Sequence, residues 1–377
     1  MLARTGIYVH LPFCPYVCPY CDFAKWAYAP QRAERYLQAL RAEIDAAPEV
    51  RGATIFFGGG TPNTYPASTI AALIEALRAR FAIPPDGEIS VEINPDPGLC
   101  EELPALRAAG VNRLSIGVQS FAPNELRALG RRHTARDAET VVARARAAGF
   151  ANVSIDLMFG VPGQSEASWR DSLERALALG IDHLSTYGLT IEADTPYAKW
   201  FARDPAAFFD DDREARLYAI AIERAARAGF EHYEISNFAR PGYRCAHNAN
   251  YWRNGSYVGL GVGAASYIDG VRSTHTRDLE TYCSSALAGT AVPGESERLV
   301  GDERTGEATM LALRTLEGVD TREFRERYDV DFHVRYRTVI ADLTAAGMLH
   351  VAGERVQLTE RGRYLANDVC GAFLGGR

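Results

Sequence analysis

The chain has 377 residues, 47% of them hydrophobic and 24% charged, an ordinary soluble globular composition long enough for two domains. A formal net charge of −7 argues against a broadly basic, nucleic-acid-binding surface. No apolar run approaches the roughly 20 residues needed to span a bilayer.

The N-terminal MLARTGIYVHLPF enters a strand-like run at once, with no apolar core and cleavage site of an export signal. A cytoplasmic location is therefore expected, and there clustered cysteines are metal ligands or redox groups more often than disulfides. The first strand is expected over Gly6–His10. It leads into YVHLPFCPYVCPYCDF, which places Cys14, Cys18 and Cys21 in the pattern C-x-x-x-C-x-x-C. Three thiols this close can converge on one inorganic centre. Structural zinc takes four ligands, and the nearest fourth candidate, His10, lies back on the strand. An iron–sulfur cubane with three cysteines keeps one iron open to a ligand. The spacing favours the cluster and leaves zinc open.

Further strands are expected over Ala53–Phe57, Glu88–Ile93, Arg113–Val118, Val153–Phe159 and His183–Leu189. Between them lie segments with apolar residues at helical spacing, such as STIAALIEALRARF and SWRDSLERALALG. Gly149 and Gly180 stand where left-handed helix caps belong. Six alternating strand–helix units imply a parallel sheet, either an open partial barrel or a doubly wound sheet, with ligands at the carboxyl ends of the strands. The strand ends carry suitable chemistry: Gly58-Gly59-Gly60-Thr61-Pro62 after the second, Glu92 in VEINP, Gln119 in GVQSF, and Asp156 in DLMFGVPGQ. Glycines let backbone approach a ligand closely, and buried strand-end polar groups need partners.

From about Asp204 the pattern changes. Asp210–Ala228 reads as a long amphipathic helix, followed by an aromatic, Gly-rich stretch from His232 to Tyr267. Beyond Arg304, three short helices precede two short strands around a Gly-Glu turn, a winged-helix-like order. Its mixed charge favours packing over DNA binding. The expected division is 1–235 for the barrel, 236–300 for a connecting region, and 301–377 for the winged-helix-like domain. Cys100, Cys245, Cys283 and Cys370 occur singly and read as small buried hydrophobes.

The cysteine motif, with Tyr20 before its last cysteine and placed after the first strand, resembles the radical S-adenosylmethionine (radical SAM) superfamily. The resemblance implies a partial (β/α)6 barrel, with the C-terminal α+β region ending in the winged-helix-like domain. It also implies a [4Fe–4S] cluster on Cys14, Cys18 and Cys21, whose fourth iron chelates S-adenosylmethionine. One electron from the cluster would then cleave the sulfonium to a 5′-deoxyadenosyl radical. By the same resemblance Tyr8, Tyr20, Gly59, Gly60, Thr61, Glu92, Gln119, Arg131 and Asp156 belong to the S-adenosylmethionine site. Arg131 lies in LGRRH, beside Arg132 as an alternative.

Within the superfamily the chain is most similar to coproporphyrinogen III oxidase-like members. Phe23 stands where the oxidase pattern continues to a fourth cysteine, and only five residues precede Gly6. Both features point to the HemW branch of proposed haem chaperones. His247-Asn248-Ala249-Asn250-Tyr251-Trp252 matches the HNxxYW signature of that branch. It implies haem contacts through His247, Tyr251 and Trp252, with Cys245 a weaker alternative ligand. The expected role is delivery of haem to acceptor proteins, served by an electron donor and lacking coproporphyrinogen III oxidase activity. Membrane association through a partner stays open. The alternative is a radical enzyme acting on a tetrapyrrole, and a zinc-stabilised structural protein is a third reading.

Overall fold

The computed structural model describes residues 5–208 and 211–374. Six parallel strands form its centre: β1 (Thr5–Leu11), β2 (Gly52–Gly59), β3 (Ile89–Ile93), β4 (Arg113–Gln119), β5 (Asn152–Phe159) and β6 (His183–Gly188). Each pairs with the next in sequence, and the helices of the crossovers cover the outer face. The main ones are α1 (Pro30–Ala46), α2 (Ala67–Phe81), α3 (Leu103–Ala108), α4 (Ala135–Ala147) and α5 (Glu166–Ala178). Thr134 and Ser165 cap α4 and α5 through capping boxes, and Gly149 and Gly180 follow those helices at φ +87° and +69°.

The strands alternate strictly in what they bury. On β4, Leu114, Ile116 and Val118 enter the apolar core beneath the helices, whereas Arg113, Ser115 and Gly117 face the concave side. The concave side is accordingly polar, unlike the filled apolar interior of a closed eight-stranded barrel.

The sheet continues beyond the six central strands. After α6 (Asp211–Arg227) come β7 (Glu231–Glu234) and β8 (Asn237–Ala239); β8 adds antiparallel to β6, and β7 antiparallel to β8. Asp210, the expected first residue of that helix, lies outside the described residues. A two-turn helix, α7 (Ala246–Trp252), carries the HNxxYW stretch. Beyond it, β9 (Tyr257–Leu260) pairs parallel to β1, and β10 (Ala265–Ile268), β11 (Val271–His275) and β12 (Gly294–Arg298) extend that edge. The order is therefore β12-β11-β10-β9-β1-β2-β3-β4-β5-β6-β8-β7. Among the described residues, twelve strands form one sheet whose two edges are not joined by hydrogen bonds. The partial barrel is what the six units lead to. The four strands of 257–298 have no period-2 apolar run to announce them: β11 is half-buried throughout and β12 is exposed.

The C-terminal region has its own apolar core. It comprises α8 (Gly301–Leu313), β13 (Val319–Asp320), α9 (Thr321–Tyr328), α10 (Phe332–Arg335), α11 (Arg337–Ala345), β14 (Leu349–Ala352), β15 (Arg355–Leu358) and α12 (Ala366–Leu374). The strands pair in the order β13-β15-β14. Phe324, Phe332, Tyr336 and Phe373 pack at its centre. The run of helices from α8 to α11 followed by the β14–β15 hairpin is the winged-helix-like order expected from the sequence, and α12 packs back on α8 after it.

Candidate cofactor site

At the carboxyl ends of the central strands lies a cavity of about 540 Å³. The loop after β1 forms one wall. Cys14 is buried and Cys18 and Cys21 are half-buried, all three lining the cavity. Backbone bonds shape the loop: Cys21 N–H donates to Cys18 O at 3.3 Å, and Tyr28 N–H to Cys14 O at 2.8 Å. Its far side is tied down by His10, whose Nε2 meets Ala24 O at 2.7 Å, and by Arg277, which donates to Asp22 O.

The second wall is the glycine turn ending β2. Gly59 sits at φ +105°, and a Cβ there would lie 2.4 Å from the His10 ring. At Gly60 a Cβ would lie 2.6 Å from the Pro12 backbone. Two strands therefore approach each other here as only glycine allows. Gly60 N–H donates to Leu11 O and Thr61 N–H to Phe13 O, so the turn and the cysteine loop move as one unit.

The floor and far wall come from β3 to β6. Glu92 Oε2 accepts from Gly59 N–H at 3.3 Å. Its carboxyl is pushed up to about 7, first by burial and then by Asp156, against the Gly59 amide and Arg113. Asp156 accepts from Ser115 Oγ at 3.1 Å and is also raised, chiefly by burial. A bulge between Gly117 and Gln119 interrupts the β4–β5 pairing and leaves Gln119 at φ +68°. That conformation is costly for a side chain with a Cβ and re-aims the residue, and Tyr187 Oη holds it by donating to Gln119 Oε1 at 2.7 Å.

Arg131 reaches in from beyond β4, donating to Asn94 Oδ1 at 2.8 Å and to Gly117 O, with Nη1 3.9 Å from Cys18 Sγ. Its Nε has no partner among the described residues. Arg132 turns the other way and lies over the Tyr16 ring at 4.7 Å. Tyr20 lines the cavity beside Tyr197, 6.1 Å away in edge contact. Tyr8 stands one layer back, with Oη 2.9 Å from His10 Nδ1 and its ring stacked on the cavity residue Phe56.

Several lining residues were not singled out in the sequence: Asn94, Arg113, Ser115, Ser185, Tyr187 and Asn248. All but Asn248 follow from the strand period. Asn94 stands two residues after Glu92, and Ser185 and Tyr187 alternate along β6.

The residues present fit an iron–sulfur cluster. The three thiols share one cavity, and Cys14 feels both of the others electrostatically. Among the described residues, no three such side chains stand close enough to hold a single metal ion. A set of three thiols without a fourth ligand, open on the cavity side, suits a cubane with one iron left free. Burial pushes the Cys14 thiol up to about 11 and raises Cys21, so metal capture must release protons there.

The HNxxYW helix divides its side chains between two places. Asn248 enters the cofactor cavity. His247 is 1% exposed and stacks on Phe56, with ring centroids 5.1 Å apart. Its Nδ1 meets Thr54 Oγ1 at 2.8 Å and its Nε2 meets Tyr251 Oη at 2.9 Å. Burial and Arg113 push it down to about 3, so the ring is neutral. Both nitrogens are thus engaged, and ligation of iron through either requires one of these bonds to open. Cys245 is fully buried, with Sγ 3.6 Å from Glu88 Oε1. Cys100, Cys283 and Cys370 are buried in apolar surroundings.

Residues 8–176 match the radical SAM superfamily, and residues 300–365 match the HemN C-terminal domain. The chain is 36% identical to the Heme chaperone HemW of Bacillus subtilis, with 98% of each chain covered. It is 34% identical to the Heme chaperone HemW of Escherichia coli, with 99% of each covered. This chain belongs to the HemW family of the radical SAM superfamily. A solved structure of coproporphyrinogen III oxidase (HemN) from Escherichia coli, a radical SAM enzyme, is also similar. The TM-score is 0.85 at 26% identity, over 99% of this chain and 90% of that one. Membership of the radical SAM superfamily implies a [4Fe–4S] cluster and S-adenosylmethionine. At position 23 this member carries Phe, 65% exposed at the cavity mouth. Among the described residues, no helix is long and apolar enough to cross a membrane.

Proposed function

We propose that the protein carries haem and hands it to acceptor proteins, with a [4Fe–4S] cluster and S-adenosylmethionine bound in the cavity. Full-length likeness to proteins named haem chaperones, with no cysteine at position 23, is the observation that carries this reading.

In this reading Cys14, Cys18 and Cys21 hold the cluster, which when bound supplies a one-electron reductant beside the sulfonium. The Gly59–Thr61 turn offers backbone groups to the methionine amine, and Arg131 offers its guanidinium to the methionine carboxylate. Glu92 and Asp156, when ionised, attract the cationic sulfonium end. Gln119 and Tyr20 shape the remaining wall, and Tyr8 supports Phe56 from behind it. An electron donor would approach the loop face, where Val17 and Phe23 are exposed. Among the motif residues, Trp252 presents a ring face for a porphyrin, and His247 and Tyr251 brace the helix that carries it. The C-terminal domain packs against that helix through Arg314, whose guanidinium lies 4.6 Å from the Trp252 ring centre.

A second reading has one specific observation behind it: the 0.85 TM-score to the oxidase. It makes the protein a radical enzyme acting on a tetrapyrrole. Incubating the cluster-reconstituted protein anaerobically with coproporphyrinogen III, and separately mixing its haem-loaded form with an apo-acceptor, distinguishes the two. Haem transfer without protoporphyrinogen IX is the expected result.

A further inference from the structure

Behind the HNxxYW helix, on the face away from the cofactor cavity, lies a second cavity of about 570 Å³. Its barrel side is formed by α7 and the adjoining chain, and its other side by the C-terminal domain. The volume falls within the roughly 300–1,000 Å³ of cofactor-sized sites. We propose that this cavity is the porphyrin site, held by ring stacking and carboxylate pairing without an iron ligand from the protein. The proposal rests on the haem-carrier reading and names the place and chemistry of the cargo.

Four aromatic residues line the space: Tyr233, Trp252, Phe324 and Tyr328. They come from both sides, Tyr233 and Trp252 from the barrel side and Phe324 and Tyr328 from the C-terminal domain, so a flat ring entering between them would meet aromatic side chains on both walls. Trp252 Nε1 is buried with no acceptor among the described residues, and such a donor is costly unless a ligand satisfies it.

The charges sort clearly. Arg244 and Arg355 are already paired, with Glu317 at 2.6 Å and Asp320 at 3.1 Å. Among the described residues Arg253 makes no direct ion pair, and its charge acts on Glu317, which Arg244 already holds. Arg327 donates only to the backbone carbonyls of Arg253 and Asn254. Against these two guanidiniums stands the single unpaired carboxylate of Glu323, so the cavity keeps a positive surplus. Two planar forks without carboxylates suit a ligand with carboxylate side arms.

The lining contains no histidine, cysteine or methionine. Its two tyrosines are poor iron ligands here: Tyr233 Oη already meets His183 Nε2 at 2.8 Å, and Tyr328 Oη accepts from Asn254. Recognition is therefore blind to the metal. A cargo held without an axial bond is also released without breaking one, which suits hand-over.

The test is a titration of the cluster-reconstituted full chain with haem and, separately, with metal-free protoporphyrin IX, followed by tryptophan fluorescence. Wild type should bind both with affinities within about threefold of each other. Arg253→Glu, an exposed change, should weaken both about tenfold with iron content unchanged. Trp252→Phe should remove most of the quenching. Haem binding without protoporphyrin binding would overturn the proposal, as would equal affinities in Arg253→Glu. Wild type binding neither would instead overturn the haem-carrier reading on which the proposal rests.

Discussion

His247 Nε2 and Tyr251 Oη stand 2.9 Å apart, one turn apart on the same helix, and close the imidazole off from any ligand. With Thr54 on the other nitrogen, the ring works as a pin between the HNxxYW helix and strand β2. Removing it leaves a buried hydroxyl without its partner and a hole against Phe56. His247→Ala should cost about 2–4 kcal/mol of stability. A pin predicts lowered thermal stability with haem affinity retained, measured under conditions where the variant is folded. A clear fall in haem affinity would instead make His247 a ligand that opens on binding.

The cysteine loop gives a sharper contrast. Cys18→Ala should abolish cluster incorporation, read as iron and sulfide content after reconstitution, because two thiolates do not retain a cubane. Cys370→Ser, buried 60 residues in sequence from its contact Met310 O, should leave iron content intact while lowering stability by about 1–2 kcal/mol. Equal iron loss in both variants would remove the loop from the account.

Gly59 offers a test of how turn and loop are joined. Alanine there would be strained at φ +105° and would strike the His10 ring. His10 in turn holds Ala24 O beside the third cysteine. Gly59→Ala should therefore lower both stability, by about 2 kcal/mol, and iron loading, although Gly59 contributes no thiol. Normal loading would show that the two walls are independent.

Glu92 sets a pH dependence. Its carboxyl titrates near 7, so it is largely neutral at pH 6 and ionised at pH 8. Attraction for the sulfonium is present above 7 and lost as pH falls through it. S-adenosylmethionine affinity, measured calorimetrically, should rise from pH 6 to pH 8, and Glu92→Gln should flatten the rise. An unchanged slope in the variant would assign the titration elsewhere.

The strands were legible because burial on both faces leaves near-continuous apolar runs such as Ile55-Phe56-Phe57, and the observed ends differ by one or two residues. The cluster loop was legible for a different reason, since its spacing is itself the chemistry. Arg113 was harder to see: in RLSIGVQ it reads as a polar start to a strand, and only the concave curvature of the sheet turns that side into a cavity wall. The edge strands at 257–298 escaped because they are short and, apart from the buried β9, half-buried or exposed, so they carry no apolar alternation. The surroundings of His247 were the least legible. A histidine among aromatics reads as a ligand in one dimension, whereas its partners, Thr54 and Phe56, are almost 200 positions away.

The central claim is that this chain moves haem and does not oxidise a porphyrinogen. It is tested most directly by anaerobic incubation of the cluster-reconstituted protein with coproporphyrinogen III, S-adenosylmethionine and a low-potential reductant, analysed for porphyrin products. The account predicts no protoporphyrinogen IX, together with transfer of bound haem to an apo-acceptor in a parallel sample. Turnover to protoporphyrinogen IX would contradict it.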